Sequence, residues 1–302
     1  MLKSTLKLYR KTLKRIPSAH RAVHWLLSHT LIPTLEKVRG FQTMPDDPFW
    51  FRLELLTQTH EAETHQVARR LLRPGMVALD VGAHVGYYAR LFSQAVGPQG
   101  RVLAFEPHPR NFHVLQRNLR SCSNVEALAL AVGETQGSAQ LHDYLMMSAS
   151  GSLNYDERLR ETQQAAIRVG DLAPRMKDFE PQVYTVPVVP LDDVLDERSI
   201  QRVDLIKMDI EGAELGALRG LQRTLQRSPD LALIMEYNPL GLRAFGTEPL
   251  VALDEIVALG LSRWQVIETG GALRDLSQAA DLARLTDDLI AHMGVVNLLL
   301  RP

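Results

Sequence analysis

The run Val77-Ala78-Leu79-Asp80-Val81-Gly82-Ala83-His84-Val85-Gly86-Tyr87-Tyr88 constrains this chain more than any other stretch. It is apolar, reaches a carboxylate, and then breaks into a turn carrying glycines at 82 and 86. A short run rich in branched residues and closed by glycine reads as a strand buried in a parallel sheet. The glycines permit a tight strand-to-helix turn and let a ligand approach the backbone closely. A second run, Arg101-Val102-Leu103-Ala104-Phe105-Glu106, also ends on a carboxylate. An acid on the next strand accepts hydrogen bonds from both hydroxyls of a ribose, so the pair describes a nucleoside-binding pocket.

The 302 residues accommodate one α/β domain with an appendage. We expect a basic N-terminal helical extension over residues 1–53 and the main domain over 54–302. Hydrophobic residues at 45% and charged residues at 23% are ordinary for a globular protein. The lone Cys122 rules out an internal disulfide framework and Cys-based zinc sites, and suits a reducing, cytoplasmic setting.

The net charge of −1 hides an asymmetry. No acid precedes Glu36, whereas Lys3, Lys7, Arg10, Lys11, Lys14, Arg15 and Arg21 fall in that stretch. The remainder holds 27 basic against 35 acidic residues, a balance that argues against a nucleic-acid partner for the main domain. Leu2, Leu6, Tyr9, Leu13 and Ile16 recur at helical spacing among those basic residues. Four readings stand: a helix packed on the domain, a docking helix, an interfacial helix giving peripheral membrane contact, or a transit peptide. The run Ala22 to His29 is short and punctuated by His, so a cleaved signal peptide is not expected.

Pro33, Gly40, Pro45 and Pro48 mark an irregular stretch, followed by a helical pattern from about Glu54 to Leu72. Arg73-Pro74-Gly75 stops that helix before the first strand. Beyond it the chain alternates strands and helices, which implies a doubly wound, mostly parallel sheet. Helices are expected near 87–95, 109–119, 213–225 and 250–259, with strands at 125–132, 203–210, 231–237, 264–267 and 295–300. Four strand-like runs end in carboxylates: Asp80, Glu106, Asp209 and Glu236. Ligands of open parallel sheets bind beyond the carboxyl ends of the strands, so these acids are expected around one crevice.

Three motifs carry a family likeness: Asp80 to Tyr88, Phe105-Glu106-Pro107-His108-Pro109, and Val203-Asp204-Leu205-Ile206-Lys207-Met208-Asp209-Ile210-Glu211-Gly212-Ala213-Glu214. They resemble the FkbM-type family of S-adenosylmethionine-dependent methyltransferases. The resemblance implies the class I methyltransferase fold, a Rossmann-like, seven-stranded sheet whose last strand is antiparallel. It implies S-adenosyl-L-methionine as cofactor and O-methylation of a hydroxyl on a sugar, glycolipid or natural product, a small-molecule or carbohydrate acceptor. His84 departs from the family, which usually has Asn there; both residues are enriched at positive φ, so His84 is read first as a conformational substitute and second as a direct cofactor-binding contact.

On that reading Gly82 and Gly86 let the backbone pass close to the methionine moiety. Asp80 and Asp209 orient its ammonium group, and Glu106, followed by Pro107, clamps the ribose hydroxyls. Methyl transfer needs the nucleophile held in line, and an alcohol needs a base. The candidates are Glu211 and Glu236 beside Asp209, with His84, His108 and Lys207 behind them. Lys207 shares a face with Asp209 and reads as its buried ion-pair partner. Asp209, Glu211 and Glu236 together could hold magnesium, although no spacing demands a divalent metal. Acids at a helix start favour the dipole in any case, which suffices for Glu214.

The stretch from Gly133 to about Val203 is too long for a simple crossover, and extra strands such as Val183 to Val189 are expected. Met146 and Met147 are substrate-facing or core-filling, and Asp192-Asp193 read as a helix N-terminus. Two other enzymes share some features. A nicotinamide-dependent oxidoreductase explains Gly82, Gly86 and Glu106, but wants glycine where His84 stands and leaves Asp209 unexplained. Tyr237-Asn238-Pro239-Leu240 weakly suggests a nucleic-acid methyltransferase, against the charge balance. A membrane-docked module that keeps the fold without catalysis is the non-enzymatic reading.

Overall fold

In the computed structural model the residues described are 17–143, 148, 151–153, 182–276 and 279–302. The basic segment before Pro17, Met146, Met147 and, in the loop at 148–154, Ala149, Ser150 and Asn154 lie outside them. The chain divides into two compact units, Met1–His60 and Glu61–Pro302.

In the first unit, helices α1 (Pro17–Arg39) and α2 (Phe49–Thr57) flank an irregular turn. Glu36 organises that turn: its Oε1 accepts from the Thr43 amide at 2.9 Å and the Thr43 hydroxyl at 2.6 Å, and pairs with Arg52 at 3.3 Å. Pro33 lies inside α1, not in a linker, so the irregular stretch is confined to residues between α1 and α2. The helix expected over 54–72 is also two helices. Gln58 caps α2 at φ 57°, Glu61 stands at φ 42°, and α3 (Ala62–Leu71) begins after it.

The second unit is built on β1 (Val77–Val81), β2 (Arg101–Phe105) and β3 (Val125–Leu128). Helices α4 (Tyr87–Val96) and α5 (Pro109–Asn118) connect them. β1, β2, β8 (Leu205–Met208) and β9 (Ala232–Tyr237) are buried at consecutive positions, which requires cover on both faces of the sheet. The central sheet runs β11-β10-β12-β9-β8-β1-β2-β3, with β10 at Arg263–Ile267, β11 at Leu273–Asp275 and β12 at Val296–Arg301. Pairs within β9-β8-β1-β2-β3 are parallel, and β12 is antiparallel to both β9 and β10.

The sheet therefore has eight strands, not the seven implied by the resemblance. After β10 the chain turns at Gly270 and Gly271, both at positive φ, and doubles back as β11 along the free edge. Gln265 Nε2 donates to Asp275 Oδ1 at 2.7 Å across that pair.

The expected strand 125–132 divides where the chain leaves the central sheet: β4 (Ala131–Val132) belongs to a second sheet, ordered β4-β7-β5-β6. Its other members are β5 (Gly137–Asp143), β6 (Gly151–Ser152) and the expected strand β7 (Gln182–Val189). Helix α6 (Leu191–Glu197) follows, with Asp192 accepting from Thr224 and Arg223 amides at 2.9 and 2.8 Å. The single helix expected over 213–225 is α7 (Glu214–Arg219) and α8 (Gln222–Arg227). Helices α9 (Pro239–Ala244), α10 (Pro249–Ala258) and α11 (Ala279–His292) complete the unit. Among the described residues no helix is long and apolar enough to cross a membrane.

Candidate functional site

The chain leaves β1 outward through β2 and β3, then returns to β8 on the other side of β1. The order reverses between β1 and β8, and open α/β sheets bind ligands beyond the carboxyl ends of the strands at such a switch point. Asp80, Glu106, Asp209 and Glu236 sit at or just past the ends of β1, β2, β8 and β9, four neighbours in the sheet. The structure thus gathers all four strand-terminal acids along one edge.

Asp80 is 1% exposed and its Oδ2 finds no hydrogen-bond partner among the described residues. Burial pushes its carboxyl up to about 7, opposed by Lys207 and by an amide bond from Ala89. A buried, unpartnered acceptor is costly unless a ligand donates to it. Gly82 (φ 84°) and Gly86 (φ 92°) shape the turn beside it. A Cβ on Gly82 would lie 1.9 Å from the Asp209 carbonyl oxygen, so only glycine lets the two strand ends meet. Gly86 is the N-cap of α4. His84 lies at φ 51°, the left-handed conformation anticipated for it.

Glu106 is buried and both its oxygens accept backbone amides, from His84 at 2.7 Å and from His108 at 2.9 Å. Burial raises its proton affinity, to about 7, against those two bonds and the neighbouring His108. Each carboxyl oxygen has further acceptor capacity for a ribose hydroxyl. Half-buried Pro107 carries the chain from Glu106 to His108, whose Nδ1 caps α5 by accepting from the Arg110 amide. The His108 ring also meets Asp143 of β5 at 3.0 Å, tying the second sheet to this edge.

Lys207 is 1% exposed and donates to Asp209 at 3.0 Å, with its Nζ 5.4 Å from the Tyr88 ring centroid. Desolvation lowers its affinity for a proton, but Asp209, Glu61 and Glu236 outweigh it and keep the ammonium charged. Lys207 also stands in register with Asp80 across β1 and β8. It is the resident cation of an acidic site, in the structural role expected.

Glu236 and Glu211 have strongly raised proton affinities, Glu211 to about 8. Burial is the larger cause and mutual repulsion with Asp209 the second. Such acids share protons as a group rather than titrating one by one. Glu214 instead clamps the loop between β8 and α7, accepting from Ile210 and Gly212 amides at 3.0 and 3.3 Å. Glu211 is held there at φ 56°, and Gly212, at φ 102°, packs against Gly241.

The sequence did not single out Glu61. Its carboxylate, with those of Asp209 and Glu236, offers oxygens within 4.8 Å of one another, a place where Glu211 was expected. Glu61 accepts from Tyr88 Oη at 2.8 Å and from Asn297 Nδ2 at 2.8 Å. No periodicity or motif marks it; it reaches the site through the helix break that precedes α3. Asn238, part of the tetrad that suggested a nucleic-acid enzyme, caps α9 by accepting from the Gly241 amide at 2.8 Å.

A strand-end acid pair, a glycine turn and a second-strand acid define a nucleoside-binding α/β protein. The chain matches the Methyltransferase FkbM domain over residues 80–258 and belongs to that family. Among its relatives are methyltransferase sdnD of Sordaria araneosa, 28% identical over 55% of this chain and 68% of that one. It is 26% identical to 2-O-methyltransferase NoeI of Sinorhizobium fredii, over 54% of this chain and 64% of NoeI. It is 30% identical to 31-O-demethyl-FK506 methyltransferase FkbM of Streptomyces tacrolimicus, over 50% of this chain and 61% of that one. The chain thus spans about two-thirds of the length of these relatives. Family membership implies S-adenosylmethionine as methyl donor, and the orphaned Asp80 Oδ2, the glycine turn and Glu106 fit that group.

Proposed function

We propose that the chain transfers a methyl group from S-adenosylmethionine to a hydroxyl of a sugar, glycolipid or natural-product acceptor. The observation that carries the reading is the contact of Gly82 with the Asp209 carbonyl, which sets the cofactor turn directly against the carboxylate cluster. The oxygen positions in the names of two relatives support oxygen as the acceptor atom.

When bound, S-adenosylmethionine supplies an electrophilic methyl group and brings positive charge. Asp80 Oδ2 offers the acceptor for an ammonium donor, and Glu106 the acceptors for vicinal hydroxyls. Glu211 and Glu236, beside Asp209, hold protons tightly while the pocket is negative; incoming positive charge lowers that affinity. Glu236 then accepts the hydroxyl proton as the oxygen attacks, with Asp209 held in place by Lys207. Positioning contributes the larger share of the rate.

The test is calorimetric titration of S-adenosylmethionine and S-adenosylhomocysteine into wild type and Glu106→Ala, with NADH as control. Micromolar-range binding, about −8 kcal/mol, that collapses in the variant supports the reading. Binding of NADH alone overturns it. Mass-spectrometric detection of a transferred methyl on a hydroxyl acceptor, lost in Glu236→Gln, then tests the oxygen chemistry.

A further inference from the structure

Beside the acid cluster lies a cavity of about 350 Å³ whose walls come from three separated stretches of chain. Glu61, Glu63 and Thr64 open α3, Glu268 and Thr269 follow β10, and Asn297 begins β12. Every one of these residues lies outside the 80–258 span that carries the family match.

The cavity opens on the same edge as the cofactor crevice. β12 is antiparallel to β9, so its start lies where β9 ends, and Asn297 stands in register with Glu236. Glu61 belongs both to the cavity wall and to the carboxylate group with Asp209 and Glu236. An occupant therefore has the cluster at its inner end.

The wall is rich in hydrogen-bond acceptors. Glu61, Glu63 and Glu268 contribute carboxylates; Arg274 pairs with Glu268, and no Lys or Arg is among the described residues that line the cavity itself. Asn297 donates its amide to Glu61, which leaves its Oδ1 buried with no partner among the described residues. A buried acceptor left over in a cavity wall calls for a donor from the occupant. Glu61 is held at φ 42°, a conformation non-glycine residues keep only where the surroundings impose it. Ile267 and Val296 supply an apolar side against which a ring can lie.

We infer that this cavity is the acceptor subsite and that it selects an uncharged or cationic, hydroxyl-rich ring, with Asn297 Oδ1 and Glu61 receiving its hydroxyls and the surrounding carboxylates excluding anions. The inference rests on the methyltransferase reading for what happens to the hydroxyl, but not for the binding itself. A phosphate or carboxylate on the acceptor meets the carboxylates of Glu61 and Glu63, Glu268 being already paired with Arg274, and is disfavoured.

Saturation-transfer NMR on the full chain loaded with S-adenosylhomocysteine tests it, with methyl hexopyranosides, glucosamine and glucose 6-phosphate as probes. The neutral and amine-bearing sugars are expected to receive saturation and the phosphate not. Asn297→Leu should weaken the sugar signal about tenfold, the effect of one buried hydrogen bond. Glu63→Lys, which reverses one wall charge in the first turn of α3, should admit the phosphate. Equal signals from glucose 6-phosphate and the neutral sugars overturn the proposal. So does an absence of signal from all sugars, or signals that neither variant changes. Calorimetry of S-adenosylhomocysteine on the same samples separates the two readings. Lost nucleoside binding with retained sugar signals sinks the methyltransferase reading and leaves the subsite standing.

Discussion

Gly82 and the carbonyl of Asp209 lie so close that a single added methyl group would sit 1.9 Å from the oxygen. Two strand ends from opposite halves of the chain meet there, and the positive φ of 84° makes the position doubly intolerant of a side chain. Gly82→Ala is expected to cost at least ~2 kcal/mol of stability and to abolish nucleoside binding. Urea unfolding and calorimetry check both; a variant that keeps wild-type affinity would separate this turn from the cofactor.

Lys207 is buried and pairs with Asp209, whose side chain is 32% exposed. Lys207→Met leaves the carboxylates without their cation, and the loss should fall below the ~3–5 kcal/mol of a fully buried pair because Asp209 is partly exposed. The loss should deepen as pH rises, because each further deprotonation adds repulsion. Thermal melts of wild type and variant between pH 5 and 8 decide this, and a difference independent of pH would contradict the assignment.

Asp80 and Glu106 are each pushed up to about 7, from ordinary values of 3.8 and 4.5. The folded chain without ligand therefore binds more protons than the unfolded one in this window, and these groups subtract stability as pH climbs from about 4 to 7. Glu106→Gln should gain on wild type over the same range. Positive charge entering the pocket should expel about one proton near pH 6, read as a binding enthalpy that varies with the ionisation enthalpy of the buffer. Identical enthalpies in all buffers would refute the proton release.

His84 occupies the left-handed region at φ 51°. His84→Asn should change stability by less than about 1 kcal/mol, whereas His84→Val should cost roughly 1–2 kcal/mol for its β-branch. Chemical denaturation that ranks the two alike would show that the ring, and not the backbone, sets the residue.

The central strands were legible because parallel strands covered on both faces must be apolar throughout, as β1, β2, β8 and β9 are. Their terminal acids stood out against that background. The edge strand β11 was not legible: its three residues are exposed and polar apart from Leu273, so no burial pattern distinguishes them from a loop. The division of Val125 to Val132 between two sheets was hidden because the apolar run continues through the switch. Helix α11 was missed although Leu282, Leu285 and Leu289 mark one face. Glu61 escaped because its role comes from a break in the chain's course, at Gln58 and Glu61, not from a side-chain pattern.

The second sheet looks separable from the cofactor edge, yet one histidine joins them. His108 donates its amide to Glu106, accepts the Arg110 amide at Nδ1 to cap α5, and meets Asp143 through Nε2. Tyr184 of β7 packs edge-on against the same ring at 4.9 Å. Grafting a relative's second sheet onto this chain, or trimming it to make a smaller enzyme, would therefore unseat the residue that aims Glu106. In engineering terms, the sheet is not a cassette: it is joined through His108 to the acid at the end of β2.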